Sequence, residues 1–146
     1  MSADQKRFVV LRHDYPCLHW DFLLERDENL ESWRLLREPV SEEWIRAEPL
    51  PDHRSVYLTY EGPVSGDRGT VSRILSGKFE SSKTEDVPSE MLDGVPHPAD
   101  AGSFVRMRRL RLAVEMGHHL PACSVAELFR TKDGRHFWMF RLMSET

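Results

Sequence analysis

The sequence predicts an all-β, mostly antiparallel fold, a barrel or sandwich of eight or nine short strands with one or two short helices. Three observations predict it. Apolar residues recur with period two along most of the chain, the pattern of half-buried strands. Turn-forming clusters at 27–29, 62–69 and 132–134 separate the alternating runs. The strand–helix–strand rhythm that builds parallel sheets is missing.

Residues 7–12 form the first predicted strand. In 18–25, Leu18, Trp20, Phe22 and Leu24 share one face, while His19, Asp21, Leu23 and Glu25 share the other. The chain turns at 27–29, and 30–37 return as the second half of a hairpin. A short helix is predicted over 39–46, where Ser41 suits an N-cap and Glu42 and Glu43 suit a first turn. Residues 55–61 alternate again, with Val56, Leu58 and Tyr60 opposite Tyr57, Thr59 and Glu61. After the loop 62–69 come strands near 70–75 and 78–83. Residues 84–102 hold three Pro and two Gly and read as a long surface excursion. Along 104–114, Val105 and Met107 alternate with Arg106 and Arg108. The inward phase then moves to Leu110, Leu112 and Val114, which predicts a β-bulge at Arg109. Strands near 124–131 and 135–143 follow, joined by the hairpin turn Lys132, Asp133, Gly134.

With 146 residues, 40% of them hydrophobic and 30% charged, the chain reads as one domain over 1–146. It is large enough to bury a core without disulfides or a structural metal. No apolar run is long enough to cross a bilayer, and residues 1–7 resemble neither a secretory signal nor a transit peptide. Cys17 and Cys123 fit no paired spacing and read as free thiols, so a cytoplasmic protein is expected. A net charge of −4 excludes bulk electrostatic coating of nucleic acid. It leaves room for a site that recognises one strand end or one phosphate.

The chemistry concentrates in residues 13–21. His19 and Asp21 are two apart on a strand and project together, and His13 meets them from the preceding strand across a turn shaped by Pro16. Two imidazoles and one carboxylate, with positions left open, suit a borderline or hard divalent cation. Without thiolates at ligand spacing, a closed structural zinc site is disfavoured. Mn²⁺ is the first choice and Zn²⁺ or Fe²⁺ the alternatives; the competing reading is a hydrogen-bonded surface pair. His53 and Tyr57 form a second cluster able to donate hydrogen bonds to a phosphoryl oxygen or a leaving group. Its plainer reading is a surface His beside an amphipathic Tyr. Arg106, Arg108, Arg109 and Arg111 either track a nucleic-acid backbone or form a solvated face. Cys17 reads as a buried or bystander thiol, His118 and His119 as a loop pair, and His136 and Trp138 as structural; His97 is assigned nothing.

These residues together resemble the 3′-phosphoesterase domain of bacterial DNA ligase D and its free-standing relatives. The likeness runs from Arg7 to about Glu80 and returns weakly over 126–142. It rests on Arg7-Phe8-Val9-Val10 leading into His13-Asp14, on Leu18-His19-Trp20-Asp21-Phe22 with Glu25, and on Ser32-Trp33 with Arg37. Asp52-His53, Tyr57, Glu61-Gly62 and Gly69-Thr70-Val71 complete it. The resemblance implies a compact β-barrel of about eight strands with its active site on an outer concave face. It also implies Mn²⁺-dependent removal of a terminal ribonucleotide and then a 3′-phosphate from DNA or RNA primers. By the same match, His13, His19 and Asp21 hold the metal, while His53, Tyr57 and Arg37 belong to the active site. Asp14 and Glu25 match acidic residues beside it. Where the resemblance leads to an arginine two residues after the metal-binding Asp, this chain has Leu23; a second expected arginine falls near Ile45, beside Arg46. Pro51 replaces a glutamate.

The leading expectation is therefore a metal-dependent phosphoesterase trimming nucleic-acid 3′ ends in DNA repair, monomeric and without a membrane partner. Leu23 and Pro51 favour an alternative, a catalytically weakened module that binds strand ends or docks to a repair ligase or polymerase. A third reading takes His19, Asp21 and His53 as the triad of a non-haem iron oxygenase; the interval to His53 is short for that.

Overall fold

The computed structural model describes residues 5–40, 42–81, 84–88, 104–117, 120–131 and 138–144. Among the described residues ten strands run in the order β1 Lys6–His13, β2 His19–Arg26, β3 Asn29–Leu35, β4 Ile45–Arg54, β5 Gly62–Pro63, β6 Thr70–Ser81, β7 Glu85–Pro88, β8 Phe104–Met116, β9 Cys123–Thr131 and β10 Trp138–Ser144. Neighbours follow the sequence β6-β1-β2-β3-β4-β10-β9-β8, and β8 pairs back onto β6. All pairings are antiparallel, so eight strands close a barrel. Short strands β5 and β7 add flanking pairings to β6 and β8. Among the described residues no helix is long and apolar enough to cross a membrane.

Alternation assigns the side chains. Phe8, Val10, Phe22, Leu24, Trp33, Leu35, Leu110, Leu112, Leu128 and Phe140 point inward and fill the barrel. Phe22 is the hub, with its ring 4.9 Å from Phe140 and 6.0 Å from Trp33. Burying one such ring contributes about 2–3 kcal/mol. The outward residues of the same strands are not all solvated. Val9, Leu11, Leu23 and Leu30 form a second apolar cluster with Leu58, Val64 and Val71. Residues 55–69 thus lie as a cover over the outer face of β1, β2 and β3. A third cluster, Val105, Met107, Phe129 and Met139, lies under Trp44 and Val87.

Several expectations change. Leu18 is 45% exposed and precedes β2 instead of joining its core face. No helix forms over the described part of 39–46, and Ser41 lies outside the described residues. Glu42 adopts φ 70° and gives its N–H to the Leu142 carbonyl, while Trp44 stacks edge-on against Phe129. Tertiary contacts there outweigh a weak local helix signal. Strand β4 begins at Ile45, and the residues expected as a strand at 55–61 start with a 3₁₀ turn, Ser55–Leu58. It buries Leu58 and leaves Val56 48% exposed. The two strands expected near 70–75 and 78–83 are one, β6.

The bulge is also elsewhere. Pairing of β8 with β9 runs unbroken through Arg109, opposite Glu127, and the shift against β6 falls between Ser76 and Gly77. The apolar phase changes at Arg109 because Val105 and Met107 face the outer cluster, whereas Leu110 and Leu112 face the core. Within the 84–102 excursion, β7 accounts for 85–88. The rest, from 89, lies outside the described residues, as do His97, the His118 and His119 pair, the 132–134 turn and His136.

Candidate metal centre

The outer face of β1 and β2 carries the site. His13 and His19 are directly paired across the two strands, and Asp21 follows two residues on, opposite Leu11. One ligand atom from each of the three lies within 4.8 Å of the others. Asp21 and His19 are almost fully buried, at 2% and 4% exposure, and His13 is half-buried.

The protons decide what this cluster wants. His19 Nδ1 lies 2.9 Å from the Cys17 carbonyl and His13 Nε2 lies 2.8 Å from the Arg68 carbonyl. A carbonyl only accepts, so each of those nitrogens carries the ring proton. The neutral rings then turn bare lone pairs, His13 Nδ1 and His19 Nε2, toward the two oxygens of Asp21 at 3.8 and 3.3 Å. Asp21 Oδ1 is buried and has no hydrogen-bond donor from the neutral rings. Three electron-pair donors with no proton among them form a seat for a cation. Without a metal, the nearest remedy is a proton on His19. The Asp21 carboxylate raises the His19 pKa, burial opposes that, and the Cys17 carbonyl adds to it; Arg34 works the other way. With a metal, the two backbone carbonyls hold both imidazoles in the ligating tautomer, the second-shell role that such partners play.

A cleft of about 550 Å³ opens over this cluster. His53, at the end of β4, and Tyr57, in the 3₁₀ turn, line it with their rings 5.9 Å apart and nearly perpendicular. The pair forms as expected, through a turn instead of a common strand face. His53 Nδ1 donates to the Pro51 carbonyl at 3.3 Å, leaving Nε2 available. Asp52 also lines the cleft but is engaged by Arg26 at 2.9 Å.

Two expected residues stand elsewhere, and a third has a different partner. Arg37 does not line the cleft; it donates to the Trp44 carbonyl at 2.9 Å and is 61% exposed. Glu25 lies at the far end of β2 from His19, about 20 Å away at 3.3 Å per residue, where it pairs with Arg7. Asp14 adjoins the site but accepts the Thr70 N–H at 2.7 Å, so it fastens the loop that carries Arg68. Leu23 is fully buried in the outer apolar cluster. Arg46 does not line the cleft. Arg106, Arg108 and Arg109 are paired with Asp86, Glu31 and Glu127. Cys17 is an exposed free thiol whose backbone, not sulfur, serves the site.

Sequence reasoning passed over Arg34, Arg54 and Arg68, all of which line the cleft. Arg34 had a readable signal. The hairpin from β2 to β3 turns on two residues, Asp27 and Glu28, and that register sets Arg34 opposite Asp21. The Cys17 and Arg68 carbonyls had none, because every residue type supplies one.

The sequence profile of the DNA ligase D 3′-phosphoesterase domain matches residues 11–118. Similar curated proteins include the multifunctional non-homologous end joining protein LigD of Mycobacterium bovis, 32% identical over 93 residues, which is 60% of this chain and 12% of that protein. The protein of the same name from Pseudomonas aeruginosa is 34% identical over 65 residues, 43% of this chain and 8% of that protein. The chain therefore spans only a small fraction of these relatives' length.

Proposed function

Because the chain belongs to the DNA ligase D 3′-phosphoesterase domain family, we propose that it is a Mn²⁺-dependent phosphoesterase trimming the 3′ ends of nucleic acid during strand-break repair. The observation that carries the proposal is the convergence of His13 Nδ1, His19 Nε2 and Asp21, their ring protons committed outward, at the floor of an arginine-lined cleft. A divalent ion bound there supplies Lewis acidity to a phosphoryl oxygen and lowers the pKa of an attacking water. Two nitrogens and one carboxylate, without thiolate, fit Mn²⁺ and leave coordination positions open.

The remaining work falls to the chain's own groups. His53 presents Nε2 to the cleft and, when protonated, donates to the oxygen of the departing group. Tyr57, set edge-on against His53 and packed on the outer apolar cluster, holds that imidazole's orientation and offers its phenol to the phosphate. The arginines supply positive charge where the phosphoryl oxygens become more negative.

The test is an oligonucleotide ending in a 3′-phosphate or a 3′-ribonucleotide, incubated with protein and Mn²⁺. Release of phosphate or a nucleoside by the wild type, and none by His13→Ala, is the expected result. No product with Mn²⁺, Zn²⁺, Fe²⁺ or Co²⁺ from folded protein refutes the enzyme. The buried Leu23 and the turned-away Arg37 favour one second reading, a module that binds metal and strand ends without turnover. Retained end binding without product separates it. The oxygenase triad loses its ground, since the cluster includes His13 and not His53.

A further inference from the structure

Arg34 stands next to the last residue of β3, directly across from Asp21 on β2 and from Glu48 on β4. It lines the cleft beside the three candidate ligands. Its Nε is buried and has no hydrogen-bond partner. Neither Asp21 nor any other described carboxylate forms an ion pair with it, although cross-strand neighbours lie only about 5 Å apart. The other cations of the cleft differ. The Arg68 guanidinium is held by Ser65 through its backbone carbonyl at 2.6 Å and its hydroxyl at 3.1 Å. Arg54 is an exposed residue at the end of β4. Arg34 is half-buried, and a guanidinium whose Nε is shut off from solvent without a partner gains when an anion arrives to share its charge.

We propose that Arg34 is the phosphate seat of this cleft, a substrate-binding residue that takes the phosphoryl oxygens of an esterified or terminal phosphate held beside the metal cluster. The inference rests on the phosphoesterase reading and deepens it by naming the residue that selects an oxyanion. The planar fork of Arg34 donates to two phosphoryl oxygens at once, which a point-charge ammonium does not reproduce. Its level with Asp21 in the sheet register brings the fork and the metal ligands to the same end of the phosphate.

The experiment uses the whole chain, Arg34→Met and Arg34→Lys, with inorganic phosphate as the probe. Phosphate and Mn²⁺ binding are read by calorimetry, and thermal stability is measured alongside. Arg34→Met is expected to weaken phosphate binding roughly 10- to 100-fold, with Arg34→Lys in between. Mn²⁺ binding stays equal or tightens, because a neighbouring positive charge is gone. The melting temperature of Arg34→Met holds or rises, since no stabilising partner is lost; a structural arginine would show the reverse. Unchanged phosphate binding in Arg34→Met overturns the proposal, as does a lower melting temperature accompanied by lost Mn²⁺ binding in both variants. Turnover by the wild type together with unchanged phosphate binding in Arg34→Met removes Arg34 alone. No turnover by a wild type whose phosphate binding does depend on Arg34 removes the hydrolase and keeps the seat.

Discussion

Gly69→Ala tests whether the loop 62–69 sets up the candidate metal centre or merely adjoins it. Gly69 has φ 76°, where an alanine is strained by about 1 kcal/mol. An added Cβ would also lie 2.3 Å from Asp14 Oδ1 and 2.6 Å from Tyr15 Cβ, with the Tyr15 backbone N at 3.3 Å. The carboxylate can rotate aside, at the loss of its 2.7 Å bond to the Thr70 N–H, worth about 1–2 kcal/mol. Tyr15 Cβ is fixed to the backbone and cannot. Reaching van der Waals distance then requires the loop and the end of β1 to part by roughly 1 Å. That displacement stretches the 2.8 Å bond from His13 Nε2 to the Arg68 carbonyl out of hydrogen-bond range. The metal-free variant is expected to lose about 2–3 kcal/mol in urea unfolding. Losing the carbonyl that orients His13 should weaken Mn²⁺ roughly 10- to 100-fold by calorimetry. Asp14→Ala makes the same bond loss without the clash, so its Mn²⁺ penalty should be smaller. If Gly69→Ala is destabilised as expected yet binds Mn²⁺ like the wild type, the Arg68 carbonyl has no part in arranging His13.

Other consequences can be checked independently. Asp21→Asn should lose Mn²⁺ binding by at least about 100-fold in calorimetry while the metal-free protein stays folded, because the carboxylate supplies the anionic ligand of the set. Gly77→Ala should cost about 3 kcal/mol or more in a denaturant melt, since its Cβ would fall 2.0 Å from the Ala113 carbonyl across the β6–β8 seam. Glu127→Gln should cost about 2–4 kcal/mol at pH 7, as the 3% exposed carboxylate accepts from both Arg141 and Arg109, discounted because Arg109 is half exposed. Burial pushes the Glu127 carboxyl up, but the Arg141 and Arg109 guanidinium groups outweigh it and hold it below its ordinary range. Its stabilisation is therefore full above the unfolded-state carboxyl value and fades as pH falls through the lower folded one. Urea melts along an acid series should show the wild type and Glu127→Gln converging.

Much of the architecture was legible because alternation is a strong signal where one face is buried. Phe22 and Leu24 against Asp21 and His19 mark β2 without help. Strand β4 was hidden because Pro49 and Pro51 interrupt any strand pattern. Among the described residues β10 pairs with it at Ile45, Arg46 and Ala47, and β3 pairs with it through Pro49. The bulge expected at Arg109 misread an outer apolar cluster as the core; one strand served two hydrophobic surfaces, which a single phase cannot express. Of the site, His13, His19 and Asp21 were readable from spacing, and His53 with Tyr57 from proximity. Glu25 and Arg37 entered through the resemblance alone, and the chain's own register carries them elsewhere.

The same register explains why the cation sits on β3. Position 23 shares the outer face of β2 with Asp21, but residues 55–69 cover it, and Leu23 there packs with Val9, Leu30 and Leu58. A charge at 23 would have to be buried under that cover or displace it. Arg34 avoids the conflict by standing across from Asp21 instead of two residues along from it, at the level where the cleft is open. The arrangement is robust because slippage is forbidden. Moving β2 by one residue would turn Phe22 and Leu24 outward and drive His19 and Asp21 into the aromatic core, losing about 4–6 kcal/mol of burial before any charge is desolvated. The aromatic packing inside the barrel therefore fixes the position of each candidate metal ligand outside it, and of the arginine beside them.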